Sequence, residues 1–299
     1  MTLRARLILI VAVTLAPMVV CAVFAALPLL EHERRVMERD AVGRARSAMS
    51  AIDVHLNATL RAMRALAASK SLEAGDLAAF HAEAQRSLTT DPAWVNIGLI
   101  TPSREVLFNA VYAFGKPEPL PPQDDSLQVT ANGTRTGFGN VRVGNVVRNP
   151  TVRLTIPITS GGELRYIMTA PLNMKQLTDV LQAQKLPESW TIAVLDRDKR
   201  VIAAVPTVPT GTSVPDELRK AIERAPEGWM RGGGPEGGNY TAHVTSDLSG
   251  WMLAIGVPPA YVEADARRSV TILWVGVVLA LVVGVAFAGA VAKSTTSPG

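Results

Sequence analysis

The chain of 299 residues has a single cysteine, Cys21, so no disulfide can close within it whatever compartment it occupies. It also lacks an excess of charge to work with. The formal net charge is +4, and Arg4, Arg6 and Lys293 are the only charged residues outside 31–268. That inner segment holds 27 basic and 26 acidic residues, a near balance that offers no basic face to phosphates and excludes nucleic acid as a partner. Histidine is scarce. His32, His55, His81 and His243 form no pair at i, i+2 or i, i+4, whereas Zn²⁺ needs three or four converging ligands, so no metal site is expected. The glycine-rich stretches at 133–139 and 232–238 have no lysine placed to hold a phosphate, and the second reads as a hairpin tip. Nucleophile elbow, kinase loop and cyclase signature are all missing, and Asp124-Asp125, behind prolines, reads as solvated loop. No catalytic residue and no cofactor is implied.

What is present begins with two apolar runs. Leu7–Leu30 and Ser269–Ala292 are each 24 residues without a charge. As helices each would extend about 36 Å, enough for a hydrocarbon core about 30 Å thick. The first run is too long for the h-region of a cleaved signal peptide and reads as an uncleaved anchor. Val20 before Cys21 is too large for a lipobox, so the thiol is expected to pack within a membrane helix. Arg4, Arg6 and Lys293 favour both ends in the cytoplasm, a signal diluted by Arg34, Arg35, Arg267 and Arg268 on the opposite flanks. The expected layout is a cytoplasmic tail (1–6), transmembrane helix 1 (7–30), a large extracytoplasmic loop (31–268), transmembrane helix 2 (269–292) and a second tail (293–299).

Within the loop, apolar residues recur at helical spacing from Leu30 to Leu66, so a long amphipathic helix over 31–71 should continue the first span outward and offer a homodimer interface. A second helix is expected over 77–88 with Asp76 as its N-cap. The pattern then changes to strands at Trp94–Ile100 and Glu105–Tyr112 about the turn at 101–104, followed by a proline-rich loop over 116–125. A hairpin over 151–159 and 163–170 turns at Gly161-Gly162, and 173–184 reads as helix. The order then restarts: a hairpin over 190–204, a helix at 215–225, and strands at 239–245 and 251–257. This predicts an α+β fold of two modules with antiparallel sheets, a membrane-distal one at 72–186 and a smaller membrane-proximal one at 187–258, with a juxtamembrane helix at 259–268. Trp94, Asn96, Phe108, Tyr112, Arg142, Arg153 and Tyr166 fall on or beside the strands of the first module. Aromatic and polar residues with an arginine for a carboxylate suit a small organic anion, so these seven are the candidate ligand contacts.

The residues of both modules carry a resemblance. The stretches at 92–99, 106–110 and 114–117 look like the first half of a double Cache (tandem PAS-like) sensor domain, and those at 189–203 and 250–258 are similar to its second half. The chain most resembles the periplasmic input regions of bacterial sensor histidine kinases, particularly the HWE-type group. That resemblance implies a multi-pass protein of the bacterial inner membrane that binds a small ligand outside and signals through two transmembrane helices. It departs from the pattern twice. The family continues into phosphotransfer and ATP-binding modules where this sequence stops at Gly299, so no kinase is expected within it. The arginine-plus-aromatic pattern of amino-acid-binding relatives is missing from 113–117, which argues against an amino acid as ligand. A loop that binds another membrane protein, or an anchored extracytoplasmic enzyme, are the alternative readings.

Overall fold

In a computed structural model, the described residues are 3–116, 125–133, 135–144, 149–232 and 238–262, with Thr271, 274–276, 278–279, 282–283 and Ala286; side chains are described from residue 35 onward. The expected second transmembrane helix therefore lies largely outside the described residues, as do the side chains of the first. Among the described residues no helix is long and apolar enough to cross a membrane. The chain forms two units, one of Met1–Asp40 with Pro258–Gly299 and the other Ala41–Val257. The second unit carries everything that follows.

Helix α1 (Leu3–Ala67) is continuous, with no proline after Pro28 to interrupt it. Its buried residues from Ala41 onward are Ala45, Ala48, Met49, Ile52, Leu56, Thr59, Leu60 and Met63, the three-and-four spacing read from the sequence. A short α2 (Lys70–Glu73) leads to α3 (Leu77–Thr90), where Asp76 caps the helix by accepting from the Ala79 N–H at 2.9 Å. After α3 come β1 (Gly98–Ile100), β2 (Val106–Asn109), α4 (Asp125–Gly133), β3 (Gly137–Phe138), β4 (Arg142–Val143), β5 (Pro150–Thr151), β6 (Arg153–Ser160) and β7 (Glu163–Pro171). Regular pairing is shorter than the β-formers suggested: Trp94 makes only an isolated bridge to Leu172, and the strand proper begins at Gly98. The hairpin β6–β7 turns on Gly161 and Gly162, both at positive φ (61° and 87°), the mirror-image turn whose twist matches that of its strands.

The second half runs α5 (Met174–Gln182), β8 (Thr191–Leu195), β9 (Val201–Val205), α6 (Asp216–Arg224), β10 (Glu227–Arg231), β11 (Tyr240–Thr245) and β12 (Met252–Val257). Two five-stranded antiparallel sheets result, ordered β2-β1-β7-β6-β3 and β9-β8-β12-β11-β10, with β4-β5 a separate ribbon. Written this way the two orders match strand for strand. Each also has one helix, α4 or α6, between its second and third strands. The sequence did not predict α4 or β10. Residues 125–133 include Thr, Val, Asn and Gly, all weak helix formers, and the helix is held by Leu127 packing on Ile100 and Ile167. In β10, Gly228 weakens the strand signal, and the segment is extended because it pairs with β11 along one edge.

Helix α1 contacts both sheets. Toward the second, Ser246 Oγ donates to Asp53 Oδ1 at 2.7 Å, Arg44 lies over the Trp190 ring, and Arg46 pairs with Glu227 at 2.6 Å. Burial pushes the Asp53 carboxyl up, a rise that the Ser246 hydrogen bond opposes and the nearby Asp247 reinforces. Toward the first, Arg64 donates to Thr136 Oγ1 at 3.2 Å. The Arg46–Glu227 pair is exposed, and an exposed pair contributes little once solvent screens it. Replacing Glu227 by Gln is expected to leave the unfolding temperature within about 1 °C of the parent, checked by differential scanning calorimetry; a larger drop would mean the pair is a real tether for α1.

The two sheets are joined by the segment 138–142. Asp196 is fully buried, with its carboxylate accepting from the Val141 N–H at 2.7 Å and the Arg200 N–H at 2.9 Å. Arg197 donates to the Phe138 carbonyl and to Asn140 Oδ1, and the Trp251 indole donates to the Gly139 carbonyl at 3.2 Å. Phe138 packs edge-on to the buried Trp251 ring, 6.3 Å between centroids.

Candidate functional site

Strand register places one row of side chains across the first sheet. Gly98 is opposite Asn109 on one side and Thr169 on the other; Thr169 faces Thr155, and Thr155 faces Gly137. Directly paired residues share a face, so Asn109, Thr169 and Thr155 project together, and alternation brings Arg153 to the same side two residues from Thr155. This is the face that α4 covers: Thr130 and Thr155 hydroxyls are 2.6 Å apart, and Thr155 Oγ1 donates to the Ser126 carbonyl at 3.0 Å. The row is buried and polar, running from Asn109 at one end to Gly137 at the other. Around Gly98 the space is tight. A Cβ there would stand 2.7 Å from Thr169 Oγ1 and 2.9 Å from Asn109 Oδ1, so only glycine leaves both groups in place.

Asn96 enters this row from the irregular segment before β1. Its Nδ2 donates to Asn109 Oδ1 at 3.1 Å, while its own Oδ1 is buried without a hydrogen-bond partner. Two residues earlier the Trp94 indole N–H is likewise buried and unpartnered. Buried polar atoms are nearly always paired, and each exception calls for an explanation. Trp94, bridged to Leu172, falls on the side of the sheet opposite Thr169, so Asn96 Oδ1 is the exception that borders the row of amides and hydroxyls. A bound polar molecule with a donor group would supply the partner that Asn96 Oδ1 lacks.

The other candidates are distributed differently. Phe108, opposite Leu99, points to the far side of the sheet, where it packs with Phe80, His81 and Phe114 at centroid distances of 5.7, 5.1 and 6.5 Å. Tyr112 is exposed, and its backbone carbonyl lies 2.9 Å from His81 Nε2. Arg142 is engaged at the junction of the two sheets, donating through both terminal nitrogens to Asp198 at 3.1 Å. Tyr166, half-buried, lies beneath the Arg165 guanidinium at 5.1 Å. Of the seven residues, the structure brings Asn96 and Arg153 to the polar face, while Trp94, bridged to Leu172, falls on the opposite side. Asn109, Thr155 and Thr169 were not singled out in the sequence. Their polar side chains interrupt runs of β-formers, but only register shows that they meet.

Comparison with known proteins tests the architecture. No protein-family model matches the sequence, and no curated protein matches it. Solved structures do. The ligand-binding domain of the Pseudomonas fluorescens chemoreceptor CtaA, in complex with L-isoleucine, superposes with a TM-score of 0.56 at 10% identity over 78% of this chain and 95% of that one. The Campylobacter jejuni chemoreceptor Tlp3 domain with L-valine gives 0.52 at 10%, over 78% and 97%. The sensor domain of the V. cholerae histidine kinase DctB gives 0.50 at 11%, over 74% and 98%. The chain has the double Cache fold. At these identities the likeness concerns the fold. The matched strand orders of the two sheets are then the two Cache modules, and the polar row belongs to the first.

Proposed function

We propose that this protein is a bacterial inner-membrane receptor whose first Cache module binds a small polar organic ligand and whose two apolar runs carry the signal across the membrane. The observation that carries the ligand reading is the buried row under α4, with Asn96 Oδ1 left unpaired at its edge. Asn96, Asn109 and Thr169 would hold the polar groups of the ligand, with Arg153 on the same face. The uncharged runs 7–30 and 269–292 supply the spans, and Arg4, Arg6 and Lys293 favour cytoplasmic ends. In this layout the first module is membrane-distal, and α1 is the connection from it to the first span. Ligand binding would shift α1 relative to the second sheet through the Asp53–Ser246 and Arg44–Trp190 contacts, which requires unequal affinity for two arrangements, typically about 1–3 kcal/mol. A homodimer formed through α1 would pass that shift to an output module such as a histidine kinase.

The test is a thermal-unfolding screen of the full chain in lipid nanodiscs against amino acids, C3–C6 carboxylic acids and amines. A true ligand at a hundredfold excess over Kd stabilises by about 2.7 kcal/mol. Asn96→Leu should abolish that gain while leaving the unliganded protein folded. A flat response across every class would overturn the small-ligand reading and favour a protein partner.

A further inference from the structure

The second module contains a cavity of about 440 Å³ between its sheet and α6, within the range of small-molecule pockets, about 300–1,000 Å³. Its position is the internal equivalent of the polar row in the first module. In the second sheet Gly256 of β12 pairs with Thr191 of β8 on one side and Thr241 of β11 on the other. In the first, the matching strands β7, β1 and β6 place Thr169 between Gly98 and Thr155. Each module therefore has a glycine and two threonines in register across its three central strands, on the face covered by its own inserted helix. A Cβ on Gly256 would collide with Thr191 Oγ1, as one on Gly98 would crowd Thr169.

The chemistry has been changed at this second position. The first module has amides, hydroxyls and an arginine. The lining of the second is aliphatic, with Leu195, Val201, Val208, Val214 and Leu218 prominent and no charged side chain contributing. Of its hydroxyls, Thr241 already donates to the Gly232 carbonyl at 2.7 Å and Thr212 to the Pro209 carbonyl at 2.8 Å. Ser213 is exposed to solvent, which leaves Thr191 Oγ1 at the cavity wall over Gly256. A charged molecule would lose its hydration here without gaining a counter-charge. We infer that the second Cache module is itself a ligand site, and that it takes a neutral, largely aliphatic small molecule with one hydrogen-bonding group directed at Thr191. The inference does not depend on the ligand of the first module, since the cavity and its lining lie wholly in the second.

The test uses the full chain in lipid nanodiscs with ¹³C-labelled isoleucine, leucine and valine methyls, titrated with cyclohexanol and with cyclohexanecarboxylate. The methyls of Leu195, Val214 and Leu218 are expected to shift saturably with the alcohol, and the carboxylate to bind about tenfold more weakly or worse. Val208→Trp, which fills the cavity from its rim, should remove the saturable shifts while leaving methyls of the first module unmoved. The proposal fails if the alcohol gives no saturable shift, if the carboxylate binds equally well, or if saturation survives in Val208→Trp. Should that variant not fold, Thr191→Val decides, because it keeps the volume and removes the hydroxyl. It should weaken cyclohexanol by about fivefold, and an unchanged affinity overturns the inference.

Discussion

Replacing Asp196 by Ala is expected to lower the unfolding free energy of the Ala41–Val257 unit by about 3 kcal/mol, because two buried donors each lose their acceptor at about 1–3 kcal/mol apiece. The Val141 N–H and the Arg200 N–H both end on this carboxylate, and Asp196 itself has no exposed surface through which water could take over. For a unit of this size the corresponding fall in unfolding temperature is about 2–4 °C per kcal/mol. The loss should be non-additive with Trp251→Ala, since Trp251 grips Gly139 of the same segment that Asp196 holds at Val141. Additive losses in a double-mutant cycle would mean that 138–142 is not a single docking element.

The same residue gives a pH dependence with a definite sign. Burial pushes the Asp196 carboxyl up, the hydrogen bonds from Arg200 and Val141 pull against it, and the neighbouring Asp198 adds to the rise. A carboxyl whose folded-state pKa exceeds its unfolded value binds its proton more tightly when folded. Its own contribution to stability is therefore complete below the unfolded value of 3.8 and is lost as pH rises through the raised folded value. Urea unfolding of the parent and Asp196→Asn over a series of pH values isolates this effect. The stability of the parent relative to the Asn variant should fall across that window. A rise would show that the two backbone donors outweigh burial.

How much of this was open to reading in the sequence depends on the range of the interaction. The stripe on α1 from Ala41 to Met63, the Asp76 cap and the Gly161-Gly162 turn are decided by residues within a few positions of one another, and all appear as the spacing predicts. So does the repeated order of elements. What local pattern does not contain is register and long-range pairing. Arg142 offered an arginine for an anion, but it is engaged by Asp198, 56 residues further along. Phe108 lies one residue from Asn109 and so faces the opposite side of the sheet, into the aromatic packing around Phe80. Helix α4 has little helical propensity and exists because Leu127 has Ile100 and Ile167 to pack against. Since α4 is what closes the polar face, the site could not be assembled from the sequence even though Asn96 and Arg153 were picked out from it.

Two glycines on that face separate stability from binding. Gly137→Ala is expected to cost about 3 kcal/mol or more, at the upper end for overpacked cores. Its Cβ would collide with the Ser126 carbonyl oxygen and Cα, which are backbone atoms in the first turn of α4, and with Thr155 Oγ1. Backbone cannot rotate out of the way, so α4 must lift off the sheet, breaking the bridge from Thr155 to Ser126 and Thr130. Gly98→Ala meets only the tips of side chains, Thr169 Oγ1 and Asn109 Oδ1, and these can turn aside for about 1 kcal/mol. Turning them aside rotates away the groups proposed to hold the ligand. Gly98→Ala should therefore unfold close to the parent temperature yet lose the ligand-induced stabilisation, whereas Gly137→Ala should unfold well below it with or without ligand. Calorimetry of the two variants, with and without the compound found by the screen, reads both effects. If Gly98→Ala keeps its full response to that compound, the ligand is not held by the row that Asn109, Gly98 and Thr169 form. The first module would then bind it elsewhere.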